Sequence, residues 1–228
     1  MTTRLAEPEF WRLLDRTARQ DRPAGVVALL HSAVGEKSVA VGPAGLALAP
    51  AKTWVEARSA WPAGAALDPT TGPAGDPAPA PLRGTPLVVV RAEPGSGGYD
   101  SVDYRGWLLS LSWLRLGVSA GLLDRARAYL SGRLVGGQPL LSQQLVKGAL
   151  ADAVIEQVEL RAVLAGQLPV RLPVAGLIEL HRRITGADRV LLRLLGARGY
   201  LVDGPGLDGY VSELLADAYL PSRGVSGG

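Results

Sequence analysis

From Tyr104 onward the chain carries apolar residues at helical spacing almost to its end, and the breaks in that pattern are few. Apolar side chains recurring three and four residues apart form one stripe of a helix, and that stripe needs a partner to bury it. The spacing predicts helices over Tyr104 to Leu130, Leu140 to about Leu168 and Val174 to Leu195, with a short last one from Tyr210 to Tyr219. Val135 to Gln138 separates the first two, and Pro139 suits a first helical turn, where its missing N–H costs no hydrogen bond. Pro169 and Pro173 divide the second from the third, and the Gly-rich run GARGY…DGPGLDG precedes the last. Gly117 and Gly121 stand four apart, a spacing that lets another helix approach the backbone closely. Long helices joined by short connections make an antiparallel bundle, here of about four.

The chain before Tyr104 reads differently. Residues 5–20 form one amphipathic helix, with Leu5, Phe10, Leu13, Leu14 and Thr17 towards one face and Glu9, Arg12, Arg16 and Arg19 elsewhere. From Val26 to about Arg91 the short apolar runs GVVALL, SVAVG, LALA and PLVVV alternate with Gly and Pro, the pattern of strands joined by turns. Asp68 to Pro81 is rich in Pro, Gly and Ala and is expected as an irregular loop. The expected fold class is mainly α: a C-terminal four-helix bundle preceded by one helix and a reduced β domain. The expected boundaries are 1–25 for the helix, 26–100 for the β-rich part and 101–228 for the bundle.

Composition removes several function classes. With 47% hydrophobic residues and a net charge of +3, the chain can bury a core and is not a disordered polyelectrolyte. There is no cysteine, so disulfides, thiolate nucleophiles and Cys-based metal sites are absent. Lys and Arg are scattered along helices rather than clustered, which argues against nucleic acid as a partner. The N-terminus lacks a signal or transit pattern, and the apolar runs are read as broken by Gly, Arg or Asp before spanning length. No membrane association and a cytoplasmic location are therefore expected. His31 and His181 lie far apart in sequence without a metal-ligand partner and are expected at the surface. Trp54 and Trp61 are expected to serve packing in the β region.

One segment is more specific. Tyr129-Leu-Ser-Gly-Arg133-Leu-Val-Gly136-Gly137-Gln-Pro139-Leu140-Leu-Ser-Gln-Gln144 resembles the Y-x-x-x-R-x-x-F-G-x-P-L-x-x-x-Q signature of acyl-CoA dehydrogenases. The following LVKGALADAVIEQVELRAVL resembles the helix after that signature, including the Leu150-Ala151-Asp152 triplet, and the preceding LRLGVSAGLLDRARAYL resembles the helix leading into it. Leu195-Gly-Ala-Arg-Gly-Tyr200 is similar to a worn G-G-x-G-[FY] turn, and Glu213 to Ala218 to the R-x-x-R-D-A helix. The resemblance covers Trp107 to Tyr219 and implies a bundle of acyl-CoA dehydrogenase type.

In that family the bundle is where subunits pair, and the signature Arg and Gln reach the FAD of the neighbouring subunit. The resemblance thus implies Arg133 and Gln144 as cofactor-contacting residues. Their chemistry suits that role, because a guanidinium is a planar, permanently charged fork for pyrophosphate, and an amide can donate and accept towards an adenine or ribose edge. The family's catalytic base is a Glu, and neither usual position offers one here. The stretch Pro221 to Gly228 contains no carboxylate, and the alternative position falls near Trp107 and Leu108. A slip of one helical turn would bring Asp103 nearer, although an acid at a helix start is favoured by the dipole in any case. Gly136 replaces the signature aromatic, Ala197 a Gly of the turn, and Arg193 the Gln before it. A full N-terminal helical domain ahead of the β part is also missing, and with it much of the usual wall of the acyl-CoA cavity.

The resemblance therefore implies a non-catalytic subunit of a heteromeric, FAD-dependent acyl-CoA dehydrogenase, similar to the unequal pairs of actinobacterial steroid degradation. A full-length catalytic partner would bind most of the FAD and the acyl-CoA, a steroid side-chain ester among the candidates, in an α2β2 heterotetramer. Two alternatives stay open at this point: a homo-oligomeric pseudo-enzyme acting as a binding or scaffold module, and a small self-sufficient flavoenzyme with a relocated base.

Overall fold

The computed structural model describes residues 3–69, 79–93, 97–166, 171–201 and 204–221. Its centre is a helix that is apolar on every side. This helix spans Val102–Gly132, and nearly every residue from Tyr104 to Leu123 is buried. A helix without a polar face must be surrounded, and four others surround it: Pro8–Gln20 (α1), Gln144–Ala165, Val174–Leu195 and Pro205–Tyr219. In chain order, with Pro23–His31 as α2 and Ala51–Glu56 as α3, the central helix is α4 and the last three are α5, α6 and α7. By length and composition α4 could cross a membrane, contrary to the sequence expectation, but 94% of its most apolar stretch is buried inside the protein. Ser101 starts it by accepting a hydrogen bond from the Tyr104 N–H at 3.1 Å.

The glycine pair of α4 does what its spacing predicts. A Cβ on Gly117 would stand 2.3 Å from the Asp15 carbonyl oxygen and 2.8 Å from the Ala18 Cβ, and one on Gly121 would stand 2.8 Å from the Arg19 carbonyl. The backbone of α1 occupies the space those side chains would need. Ion pairs at the rim hold the neighbouring helices, Arg19 to Asp124 at 2.7 Å and Arg161 to Asp15 at 2.6 Å.

The region between α1 and α4 is only partly strand. GVVALL, expected as a strand, lies in α2, whose buried Pro23, Val26, Val27, Leu30 and His31 follow helical spacing. A continuous apolar run does not by itself separate a buried helix from a strand. The Pro at the first turn tips this one towards helix. The other three runs are strands, Ser38–Ala40 (β1), Leu46–Pro50 (β2) and Leu87–Arg91, with short ones at Ser59–Trp61 (β3), Ala65–Ala66 (β4) and Ala80–Pro81 (β5), making Leu87–Arg91 β6. They form two three-stranded sheets ordered β1-β3-β4 and β2-β6-β5. Trp54, on α3, is buried in the small core between them with Val39, Val41, Val88 and Val90. Most of the Asp68 to Pro81 loop lies outside the described residues.

This layer is locked to the bundle through Tyr219. Its hydroxyl accepts from the Leu48 N–H at 3.2 Å and lies within hydrogen-bond distance of the Leu48 and Ala40 carbonyls, while the Tyr104 hydroxyl donates to the Tyr219 carbonyl at 2.6 Å. A Cβ on Gly42 would lie 1.8 Å from the Ala218 carbonyl oxygen, so the loop after β1 also rests directly on the end of α7.

Candidate functional site

The signature segment turns the corner between α4 and α5. Arg133 is the C-cap of α4 with extended backbone, and Leu134–Val135 pairs with Gln138–Pro139 as a two-residue-turn hairpin. Gly136 and Gly137 both have positive φ, 59° and 79°, as that tight turn requires, so Gly136 is a backbone necessity where the family pattern has an aromatic. Pro139 therefore ends the hairpin rather than starting a helix; a single turn at Leu140–Ser142 follows, and α5 begins only at Gln144.

Tyr129, one turn before the end of α4, organises the site. The Arg133 guanidinium donates to the Tyr129 hydroxyl and lies 5.8 Å from the ring centroid. From another part of the chain Arg198, in the turn Gly196–Tyr200, lies 5.6 Å from the same centroid. Guanidinium over a phenol ring is a favourable cation–π arrangement. The fold thus brings the signature and the worn glycine turn together on one aromatic ring, although 65 residues separate Arg133 from Arg198.

Below this ring opens a cavity of about 910 Å³ lined by Tyr129, Arg198, Arg125 and Asp208, with Gln20, Asp21 and Arg22 from the α1–α2 junction on its other side. Arg125 pairs with Asp208 at 2.8 Å. Burial pushes the Asp208 carboxyl up, with Arg125 and Arg22 opposing it. Around the cavity and the Tyr129 ring stand four guanidinium groups, of Arg22, Arg125, Arg133 and Arg198, against the carboxylates of Asp21 and Asp208. The net field is positive, and forks of this kind suit phosphate oxygens.

Of the two residues singled out in sequence, the structure places Arg133 on this ring and leaves Gln144 away from the cavity lining. Gln144 is exposed at the start of α5, with no side-chain partner among the described residues. Beyond it α5 presents Ile155 and Val158 to solvent at 56% and 60% exposure, with Leu145, Leu134 and Val135 also exposed near its start. Asp103 is half-buried in the first turn of α4, where a carboxylate complements the dipole. Trp107, at the alternative base position, is fully buried and stacks edge-on against His31 and Tyr219. Most of Pro221 to Gly228 lies outside the described residues.

The histidines correct the sequence expectation. His31 and His181 are both buried, not surface residues. His31 donates from Nε2 to the Leu48 carbonyl at 3.1 Å and faces the Ala40 N–H with Nδ1 at 3.4 Å, and burial pushes its pKa down to about 4. His181 accepts from Arg115 through Nδ1 at 2.9 Å, so its proton sits on Nε2, which faces the Leu108 carbonyl and Ser112 hydroxyl. Burial and then the Arg115 charge hold it well below the usual range.

Arg115 itself is fully buried and also donates to Ser212 at 3.1 Å and Thr185 at 2.7 Å. Ser212 in turn donates to Asp188 at 3.4 Å, while the other Asp188 oxygen makes no hydrogen bond shorter than 3.5 Å among the described residues. Burial pushes Asp188 up to about 6, against the pull of Ser119, Arg115 and Ser212. This chain of polar groups ties α4, α6 and α7 together inside the bundle. Sequence reading missed it, although an arginine inside the run LSLSWLRLGVSAGLL was the available signal. No group of three or more His, Asp or Glu residues among the described residues is placed to hold a metal ion.

Solved structures similar to this chain include acyl-CoA dehydrogenases. The Tcur3481-Tcur3483 steroid ACAD is 23% identical, with a TM-score of 0.46 over 57% of this chain and 38% of that one. Butyryl-CoA dehydrogenase from Megasphaera elsdenii is 20% identical, with a TM-score of 0.45 over 60% of this chain and 40% of that one. Glutaryl-CoA dehydrogenase from Mycobacterium smegmatis, in complex with FADH2, is 18% identical, with a TM-score of 0.43 over 57% and 37%. The match therefore spans about two fifths of the length of these structures. No protein-family profile and no curated protein matches the chain.

Proposed function

We propose that this chain is a non-catalytic subunit of a heteromeric, flavin-dependent acyl-CoA dehydrogenase, and that it completes the FAD site of a full-length partner. The observation that carries the reading is the placing of Arg133 beside Arg198 on the Tyr129 ring, at the edge of a cationic cavity. Two segments that resemble separate motifs of one family meet there with the charge a dinucleotide pyrophosphate requires. Arg133, Arg198 and Arg125 would hold the phosphates, and Gln144 would reach the partner's cofactor from the start of α5. The bound flavin would supply the hydride acceptor for α,β-dehydrogenation of the thioester.

In this reading the chain's residues bind and orient, and the partner carries the carboxylate that removes the α-proton. Trp107 at the alternative base position, packed in the core, supports that division. The exposed apolar residues of the hairpin and α5 would lie in the subunit interface of an α2β2 assembly. A bulky acyl group such as a steroid side-chain ester is the proposed substrate, as the sequence resemblance implies. The test is to co-express the chain with a full-length acyl-CoA dehydrogenase from the same genome and measure bound FAD. Arg133→Ala should lower flavin occupancy of the complex without dissociating it; unchanged occupancy removes Arg133 from the site.

A further inference from the structure

A second cavity, of about 620 Å³, opens on the other side of the Gly196–Tyr200 turn, where α6, α7 and the β5–β6 hairpin meet. Its walls are apolar: Leu82 comes from the hairpin, Leu192 from α6, Leu201 from the approach to α7 and Leu207 from the first turn of α7. Glycine makes the wall thin. A Cβ on Gly206 would lie 1.7 Å from the Gly199 carbonyl oxygen, so backbone lies on backbone there and the hollow beside it stays open. Tyr200 and Tyr210 line the cavity with 72% and 52% of their surface still exposed, at the mouth rather than in the core.

The rim is charged in one sense. Glu213 is engaged by Arg189 in an ion pair. Arg83 and Arg193 have no carboxylate partner among the described residues, and they reach the cavity from different elements. Arg83 is held in place by its hairpin: the Leu82 N–H donates to the Leu87 carbonyl at 2.9 Å, and the Thr85 hydroxyl donates to the Leu82 carbonyl at 3.0 Å. Arg193 stands in the last turn of α6, at the position where the family pattern has Gln.

From this geometry we infer a binding site for an amphipathic organic anion, with an aliphatic or ring body against the leucines and tyrosines and one carboxylate or phosphoryl head between Arg83 and Arg193. The volume lies within the range of small-molecule sites, and the lining follows their usual plan of an apolar wall with a few polar groups that fix orientation. A neutral lipid would leave the two guanidiniums unanswered, and a cation would be repelled by them. The site adjoins the Tyr129 cavity at Leu201, which lines both, but its leucine, tyrosine and arginine lining is otherwise its own and does not depend on the subunit role proposed above.

The experiment is titration calorimetry of the full chain with dodecanoate, dodecyl phosphate and dodecan-1-ol. The two anions should bind saturably at one site per chain, the stronger of the two identifying the head group, and the alcohol should bind at least about tenfold more weakly, the factor that 1.4 kcal/mol represents. The double variant Arg83→Gln/Arg193→Gln, at exposed positions that leave the core untouched, should weaken anion binding by a similar factor. Circular dichroism of the variant checks the fold. Absence of saturable anion binding, or anion binding unchanged in the double variant, overturns the proposal.

Discussion

Buried ionisable side chains dominate the energetics at the scale of single residues. His31 and His181 are held neutral, with folded pKa values below the ordinary 6.5 of an accessible imidazole. Between that value and about 4 the unfolded chain takes up a proton at His31 that the folded chain refuses, so acid lowers stability in this window. Asp188 works in the opposite sense. Its folded pKa, about 6, lies above the ordinary 3.8, so the folded state takes up a proton first and gains relative stability as the pH falls. Each proton changes the slope by up to about 1.4 kcal/mol per pH unit. Urea midpoints measured from pH 6.5 to 4.5 should therefore fall more steeply in Asp188→Asn, which loses the opposing uptake, and less steeply in His31→Gln. Equal slopes in all three proteins would show that these groups do not titrate as their burial requires. Arg115→Met should cost about 3 kcal/mol or more, because it leaves Ser212 and the His181 Nδ1 in the core without their shared donor and removes the positive charge that acts on buried Asp188.

At the scale of elements, the helices were the legible part of the chain and the polar interior was not. Val174 to Leu195 is the helix the spacing predicts, because its apolar stripe faces the core and its ends carry Pro173 and Gly196. α2 escapes sequence reading because a run apolar at every position hides its own period, although Pro23, Val26, Val27 and Leu30 show it once burial is known. The hairpin in the signature is visible in sequence only as a break, since a Gly-Gly turn between strands of two residues leaves too little alternation to read. Glycines give the sharpest test at this scale. Gly117→Ala should destabilise by about 1–3 kcal/mol, since its Cβ meets α1 backbone. Gly186→Ala on α6, where a Cβ meets nothing within 4 Å, should stabilise by about 0.5–1 kcal/mol. Chemical denaturation of the pair checks both, and a gain at Gly117 would mean that α1 does not pack where it is placed. On α5, Ile155→Glu/Val158→Glu should leave the monomer's stability within about 0.5 kcal/mol per site, as expected of exposed positions. The same variant should weaken association with a partner subunit, which sedimentation or native mass would read directly.

For the whole molecule, motif spacing alone singles out Arg133 as a candidate, but its surroundings could not be read from the sequence. Arg198 meets the Tyr129 ring only because α7 and the Gly196–Tyr200 turn fold back beside the end of α4, and no local pattern encodes that return. Gln144, expected one turn inside a helix from Leu140, instead begins α5, and acquires a role only if a second chain comes to it. This dependence on a partner is the central claim. Its most direct test is the visible spectrum and native mass of the chain purified alone and co-purified with a full-length acyl-CoA dehydrogenase from the same genome. The expected result is a colourless chain alone and a yellow complex containing both chains, with flavin lost in Arg133→Ala. A yellow, homogeneous protein formed by this chain alone would contradict it.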